Sequence, residues 1–142
     1  MPAFSKKSRA MLEQVHPDLQ KVMEEAIKII DFSITEGART KEKQLEYFKA
    51  GKSKTLNSKH LPKYFAEYGR NYSCAIDICP WPVDYGDRER FCLLAGIVLG
   101  IAKILLDQGK IKHRIRWGGD WSENFITKDE KFVDMPHFEL KD

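Results

Sequence analysis

The segment FCLLAGIVLGIAKILL, within residues 88–108, constrains the fold of this chain more than any other part of the sequence. Asp87 can cap a helix that begins at residue 88, and this helix would be the longest in the chain. The segment is apolar on nearly every side, which is typical of a helix buried in a core. We therefore expect this helix to pack under a sheet formed by the rest of the chain.

The composition indicates an ordinary globular protein. A chain of 142 residues has the usual size of one domain, and 42% hydrophobic with 32% charged residues is a common mixture. The net charge is 24 − 21 = +3 with scattered basic residues, which does not by itself indicate a nucleic-acid partner.

The amino terminus lacks the apolar core of a signal peptide, and no segment reaches the roughly 18 apolar residues of a membrane span. Three cysteines favour thiols in a reducing compartment, so we expect a soluble protein made in the cytoplasm.

Hydrophobic periodicity predicts alternating helices and short strands. The predicted elements are helix 17–30, strand 31–37, helix 41–50, a loop over 52–73, strand 74–80, helix 88–108, and strands 113–121 and 137–140. Their order is typical of an α+β domain with a small antiparallel sheet packed on helices. A loop as long as 52–73 is uncommon in a compact domain unless it has a function.

Three polar residues are candidates for a metal site. Asp77 lies in a predicted buried strand, where a carboxylate is costly unless it is paired, hydrogen-bonded or bound to metal. Of the four histidines, His16 lies at a helix start and His113 among arginines, which leaves His60 and His137. Two imidazoles and one carboxylate are a common ligand set for catalytic zinc. The alternative, three hydrogen-bonded structural residues, stays open because the spacings alone do not decide.

Asp134 lies three residues before His137, in the segment DMPHFEL. Pro136 excludes a regular helix here and favours an extended Met135. A loop that enters a strand in this way can direct both side chains at one point. If His137 binds a metal, Asp134 is placed to act as general base toward the attacking water. The alternative is a solvated loop acid.

Several separated motifs together resemble a known family. They are TEGART (35–40), Gln44, SKH (58–60), AID (75–77), WGGDW (117–121) and DMPHFEL (134–140). In this order they resemble the VanY-like zinc peptidases of the D-alanyl-D-alanine carboxypeptidase fold, and are most similar to phage endolysins of the L-alanyl-D-glutamate peptidase type. The resemblance runs from about His16 to Leu140 and implies a Hedgehog/D,D-peptidase-like fold.

The resemblance also implies roles for individual residues. His60, Asp77 and His137 would be zinc ligands, and Asp134 would be the general base where D-alanyl-D-alanine-cleaving relatives have glutamate. Arg39 would polarise the scissile carbonyl and stabilise the oxyanion; the alternative is a surface arginine at a helix start. Supporting or substrate-binding roles fall to Ser58, Gln44, Trp117, Asp120, Trp121 and Tyr72, although either tryptophan could instead be core filler.

One departure from the family's pattern lies between two of the predicted ligands. His60 and Asp77 are 77 − 60 = 17 residues apart, a longer gap than the pattern has. A longer loop adds little entropic cost if it extends away from the site. Alternatively, its aromatic residues could form part of a substrate groove, and these are Tyr64, Phe65, Tyr68 and Tyr72.

The expected function is that of a zinc-dependent endolysin, which hydrolyses the L-alanyl-D-glutamate bond of peptidoglycan stem peptides during host lysis. We expect a single peptidase domain over residues 1–142, without a separate cell-wall-binding domain, that acts as a monomer. Peptidoglycan would be its partner, with no nucleic acid and no stable membrane association. The enzyme would reach the wall from the host cytoplasm after a separate protein permeabilises the membrane. Two alternatives stay open: a D-alanyl-D-alanine carboxypeptidase of the same fold, and a non-catalytic zinc-containing wall-binding module.

Overall fold

The structure is a computed structural model that describes residues 2–141. Its elements are α1 (Lys6–Leu12), α2 (Pro17–Ala26), β1 (Phe32–Glu36), α3 (Lys41–Lys49), β2 (Lys63–Phe65), β3 (Arg70–Tyr72), β4 (Ala75–Pro80), α4 (Arg88–Asp107), β5 (Arg114–Trp117) and β6 (His137–Lys141). The expected α+β class, with a small antiparallel sheet packed on helices, is confirmed. Among the described residues, no helix is both long enough and apolar enough to cross a membrane.

The main sheet has four strands in the order β1-β4-β6-β5, and every neighbouring pair is antiparallel. The last strand of the chain, β6, therefore lies inside the sheet between β4 and β5. Its register places His137 directly opposite Asp77. Facing residues of an antiparallel pair have Cβ atoms about 4.5–5.5 Å apart. The register alone thus brings two of the predicted metal ligands together.

The long helix α4 begins as predicted but is buried on one face only. Asp87 caps it by accepting a hydrogen bond from the Arg90 backbone N–H. Leu94 and Val98 are fully buried toward the sheet and α2, whereas Leu93 is 60% exposed. The helix packs against the sheet as expected, but part of its apolar surface stays exposed. A four-stranded sheet covers one side of it, and α2 covers only part of the remainder.

The predicted loop over 52–73 contains a second, two-stranded sheet. Strands β2 and β3 pair as an antiparallel hairpin, with Gly69 at a positive φ of 66° in the turn. The ends of this excursion are tied together, because the Cys74 N–H donates to the Lys59 carbonyl at 2.9 Å and the Ser73 hydroxyl donates to the same oxygen at 3.3 Å. The inserted residues therefore leave and re-enter the domain at almost one point.

Two helices near the amino terminus differ from the prediction. Helix α1 was not predicted; Ser5 caps it by accepting from the Ser8 N–H, and it contacts β1. Helix α2 ends at Ala26 rather than residue 30. Its cap is His16, whose Nδ1 accepts the Asp18 N–H at 3.0 Å.

Candidate active site

The structure brings His60, Asp77 and His137 together. His60 Nε2 lies 3.1 Å from Asp77 Oδ1, and His137 Nδ1 lies 3.2 Å from the same oxygen. One ligand atom from each residue lies within 4.8 Å of the other two. Asp77 is on β4, His137 opens β6, and His60 is on the loop that precedes the hairpin. Residues far apart in sequence thus present three metal-ligating groups at one point.

The second nitrogen of each histidine ring has its own partner. His60 Nδ1 lies 2.8 Å from the Gly37 carbonyl oxygen, to which it donates. His137 Nε2 lies 2.8 Å from Glu139 Oε1. These bonds leave His60 Nε2 and His137 Nδ1 as the nitrogens that face Asp77. Metal-binding histidines usually donate their other ring N–H to a carbonyl or carboxylate in this way.

The electrostatics of the cluster favour positive charge at its centre. Burial opposes ionisation of Asp77, but hydrogen bonds from His137 and His60 outweigh it and hold the pKa of Asp77 well below its usual range. Burial also disfavours charge on His137, yet its bonds to Asp77 and Glu139 raise its pKa to about 9. A divalent cation would supply the positive charge that the His137 proton otherwise provides. Two imidazole nitrogens and one carboxylate oxygen fit zinc with one coordination position left open.

Asp134 lies on the wall of the same cleft, and the close approach of Gly118 fixes its backbone. The Asp134 N–H donates to the Gly118 carbonyl at 2.8 Å, and the Gly118 N–H donates to the His137 carbonyl at 2.7 Å. A Cβ atom at position 118 would lie 2.1 Å from the Asp134 carbonyl oxygen. Burial, and then the charge of Asp77, raise the pKa of the Asp134 carboxyl group. A buried carboxylate with a raised pKa is suited to accept a proton in a reaction near neutral pH.

Arg39 also lines the cleft, and neighbouring side chains fix its guanidinium. Nε donates to Glu36 Oε1 at 3.0 Å, and Nη1 donates to Gln44 Oε1 at 2.7 Å. Gln44 is 1% exposed and donates to the Ser53 hydroxyl and the Thr55 carbonyl. The guanidinium carbon lies 4.6 Å from the centre of the Tyr47 ring. Gln44 therefore supports Arg39 and does not itself line the cleft.

The cleft that contains these residues has a volume of about 720 Å³. Ser58 lines it and accepts the His60 backbone N–H at 3.1 Å, which supports the loop that carries His60. Trp121 also lines it, with its ring centre 5.4 Å from that of His137. The cleft is a solvent-accessible groove beside the three ligands, which is the arrangement needed to admit a polymeric substrate.

The structure places three of the predicted site residues away from the cleft. Trp117 is 4% exposed, stacks on Phe138 and donates through Nε1 to the Met135 carbonyl at 2.7 Å, so it is a core residue. The Asp120 carboxylate accepts backbone N–H groups of residues 124 and 125 and so closes its own loop. Tyr72, on the hairpin, packs against His16. None of the three lines the cleft, and their supporting or substrate-binding role stays a prediction.

The aromatic residues of the insertion also face away from the cleft. Phe65 and Tyr68 pack edge-on against His16 at ring-centre distances of 4.8 and 5.6 Å. Tyr64 is 65% exposed and does not line the cleft. The insertion thus extends away from the site, and its alternative role as part of a groove is not supported.

A second group of potential ligands, His16, Asp18 and His113, also has ligand atoms within 4.8 Å of one another. We call it the His16 cluster. His16 Nδ1 already accepts the Asp18 N–H as a helix cap. Asp18 Oδ2 accepts the His113 Nδ1–H at 2.8 Å and two backbone N–H groups, those of Lys112 and His113. These bonds engage Nδ1 of each histidine and Oδ2 of Asp18 within the protein, so we interpret the cluster as structural.

Sequence reasoning missed several residues that shape the site. Glu139, Gly37 and Gly118 contact the ligands or the predicted base directly. Only Glu139 carried a usable pattern, because it is two residues after His137 in a strand and must lie on the same face of the sheet. The two glycines act through backbone groups, which the sequence does not reveal.

Comparison with known proteins gives a consistent result. A family model described as phage L-alanyl-D-glutamate peptidase matches residues 2–141. The L-alanyl-D-glutamate peptidase of Escherichia phage T5 is 29% identical over 136 residues, which cover 89% of this chain and 87% of the phage protein. The peptidoglycan L-alanyl-D-glutamate endopeptidase CwlK of Bacillus subtilis strain 168 is 31% identical over 123 residues, which cover 81% of this chain and 64% of CwlK. The crystal structure of the Serratia marcescens L-Ala D-Glu endopeptidase ChiX superimposes with a TM-score of 0.71 at 28% identity, covering 99% of this chain and 91% of ChiX.

Proposed function

Because the chain belongs to the phage L-alanyl-D-glutamate peptidase family, we propose that it is a zinc-dependent endolysin that cleaves the L-alanyl-D-glutamate bond of peptidoglycan stem peptides. The observation that carries the zinc part of this proposal is the convergence of His60, Asp77 and His137 within 4.8 Å in an open cleft. A bound zinc ion would supply Lewis acidity toward the amide carbonyl and the attacking water.

Asp134 acts as the general base in the proposed reaction. Its carboxylate accepts a proton from the attacking water as the water oxygen bonds to the L-alanyl carbonyl carbon. It then delivers that proton to the amide nitrogen, which leaves as the amino group of D-glutamate when the C–N bond breaks. The raised pKa of Asp134, caused by burial and the charge of Asp77, supports both transfers.

Arg39 supplies a fixed positive charge for the oxyanion that forms during attack. Its bonds to Glu36 and Gln44 hold the guanidinium in one orientation before substrate binds. Donors that are already oriented stabilise developing charge without a cost of reorganisation. Trp121, beside His137, provides an apolar wall for the substrate chain.

We further propose that residues 1–142 form one peptidase domain that acts as a monomer on peptidoglycan. The family match over residues 2–141 supports a single peptidase domain. In host lysis the enzyme would pass from the cytoplasm to the wall after a separate protein permeabilises the membrane.

Digestion of purified peptidoglycan tests the bond that is cleaved. We expect new amino termini on D-glutamate, whereas release of free D-alanine would contradict the proposal in favour of a carboxypeptidase.

Removal of the metal tests the zinc site. Excess chelator should abolish the activity and added zinc should restore it; full activity in chelator would exclude the metal site.

Asp134→Asn tests the base. We expect kcat to fall by about 10²–10⁴-fold while the zinc content is unchanged, since the amide cannot accept the proton. Asp107→Asn, at an exposed acid that pairs with Lys103 on α4, is the matched control and should keep full activity. Unchanged kcat in Asp134→Asn would contradict the assignment. Peptidoglycan binding without cleavage by the zinc-loaded wild type would instead indicate a binding module.

A further inference from the structure

Glu139 is a buried acid for which the proposed reaction has no direct use. It is 5% exposed and lies on β6 two residues after His137, on the same face of the sheet. Its Oε1 lies 2.8 Å from His137 Nε2. Its Oε2 lies 2.8 Å from Arg116 Nη2 and 3.5 Å from Lys59 Nζ. One carboxylate therefore contacts a predicted ligand with one oxygen and two cations with the other.

The contacts to Oε2 keep this carboxylate charged in a buried position. An isolated buried carboxylate is unfavourable, and partners of opposite charge offset that cost. Arg116 is on the neighbouring strand β5, and Lys59 directly precedes His60. Glu139 is thus fixed from two elements, and one of these also carries another predicted ligand.

The contact to Oε1 decides which nitrogen of His137 is available. A carboxylate only accepts hydrogen bonds, so in the neutral ring that a metal requires, the one proton of His137 must lie on Nε2. The lone pair of that neutral ring is then on Nδ1, which faces Asp77 at 3.2 Å. With the other tautomer, an N–H group would point at the centre of the ligand cluster, and a metal ion could not bind there.

We propose that Glu139 is a positioning residue of the zinc site, which holds the His137 ring with Nδ1 toward Asp77 and is itself held by Arg116 and Lys59. This inference rests on the proposed zinc site. It predicts an effect on metal affinity that does not depend on substrate. Second-sphere partners of this kind typically contribute 10–100-fold in metal affinity or activity.

A neighbouring acid provides a matched control. Glu123 also pairs with an arginine of β5 and a lysine of β6, through bonds to Arg114 at 3.2 Å and Lys141 at 2.9 Å. It is partly buried, but no hydrogen bond or ion pair joins it to His60, Asp77 or His137. Replacing Glu123 removes a similar ion-pair network from the same two strands without touching a predicted ligand.

The test measures zinc affinity by competition with a chromophoric chelator in the full chain. We expect Glu139→Ala to weaken zinc binding by about 10–100-fold. Glu139→Gln should weaken it less, because its amide oxygen still accepts the His137 N–H but lacks the charge. Glu123→Gln should bind zinc as the wild type does. The visible absorption of the Co²⁺-substituted protein should change in the Glu139 variants and not in Glu123→Gln.

The outcomes separate this inference from the function on which it rests. Wild-type affinity and an unchanged cobalt spectrum in both Glu139 variants would overturn the positioning role and leave the zinc site intact. Absence of zinc binding by the wild type would overturn both. Thermal unfolding in excess chelator checks that the variants fold; if Glu139→Ala does not fold, Glu139→Gln decides the question.

Discussion

At the scale of single residues, the position of the predicted base depends on a glycine. Gly118 exchanges close backbone contacts with Asp134 and with His137 across a gap that has no room for a side chain. Movement of a flexible side chain cannot relieve this crowding, because the atom nearest to an added Cβ would be the backbone carbonyl oxygen of Asp134. The site therefore requires glycine at 118 for spatial reasons, although glycine carries no chemistry of its own.

Gly118→Ala should consequently impair both activity and stability. We expect a loss of about 1–3 kcal/mol in the free energy of unfolding, as for other insertions into tightly packed regions. Peptidoglycan cleavage should fall at least tenfold, because Asp134 must move. Urea unfolding and a turbidity assay measure the two effects.

Gly96→Ala is the control. Position 96 is on α4 with open space around it, so this change should keep activity and stabilise the protein by about 0.5–1 kcal/mol. Equal activity of both variants would contradict the role of Gly118.

The residues that the sequence could predict are those whose chemistry is visible in their type. The candidate metal ligands were predictable because imidazoles and a carboxylate in a buried strand need partners. These ligands are His60, Asp77 and His137. Gly118 lies within the motif WGGDW, but the site role predicted from that motif fell on residues such as Trp117, which is a core residue. Close approach between backbones depends on the folded arrangement, and no pattern along the chain reports it.

At the scale of elements, the longer helices and the four strands of the main sheet were predictable, whereas helix α1 and the strands of the hairpin were not. The cap of α4, Asp87, is as predicted. Strands β2 and β3 have three residues each, too few to show an alternating period, and they were missed. The one-sided burial of α4 depends on the width of the sheet beside it, which its own sequence cannot report.

The direction of the β2–β3 hairpin predicts how changes there affect activity. Tyr64→Ala should leave kcat/KM within about twofold of the wild type, because Tyr64 is exposed on the hairpin and does not line the cleft. Trp121→Ala, in the cleft beside His137, should lower kcat/KM at least tenfold, because substrate would lose its apolar wall. Cleavage assays on purified peptidoglycan, with thermal unfolding to check the fold, compare the two. A large loss of kcat/KM in a stably folded Tyr64→Ala would indicate that the insertion does form part of the substrate groove.

At the scale of the whole molecule, the His16 cluster connects distant parts of the chain and makes stability depend on pH. Asp18 joins the first turn of α2 to the segment that leads into β5. Burial opposes its ionisation, but hydrogen bonds from His113 and Lys112 outweigh burial and lower the pKa of Asp18. A carboxyl group whose pKa is lower in the folded state stabilises above its unfolded pKa. This contribution is lost as the pH falls from there through the folded pKa.

Asp18→Asn should therefore cost stability near neutral pH and progressively less in acid. We expect a loss of about 1–3 kcal/mol at pH 7, from hydrogen bonds to a charged group. The difference from the wild type should shrink as the pH falls below about 4, the unfolded value for aspartate. Urea unfolding from pH 3 to 7 measures this trend, with Asp107→Asn as an exposed control that changes little. A difference that stays constant to pH 3 would indicate that the Asp18 charge does not contribute.

The tied base of the hairpin makes this domain a suitable host for grafted sequence. The bonds from Cys74 and Ser73 to Lys59 hold the two ends of the excursion together next to His60, so the tip at residues 66–69 lies beyond a fixed base. Lengthening a loop whose ends are already held adds little entropic cost. An affinity peptide or a fluorescent reporter spliced into the tip would point away from the cleft, and the enzyme could be retargeted or tracked without redesign of its catalytic centre.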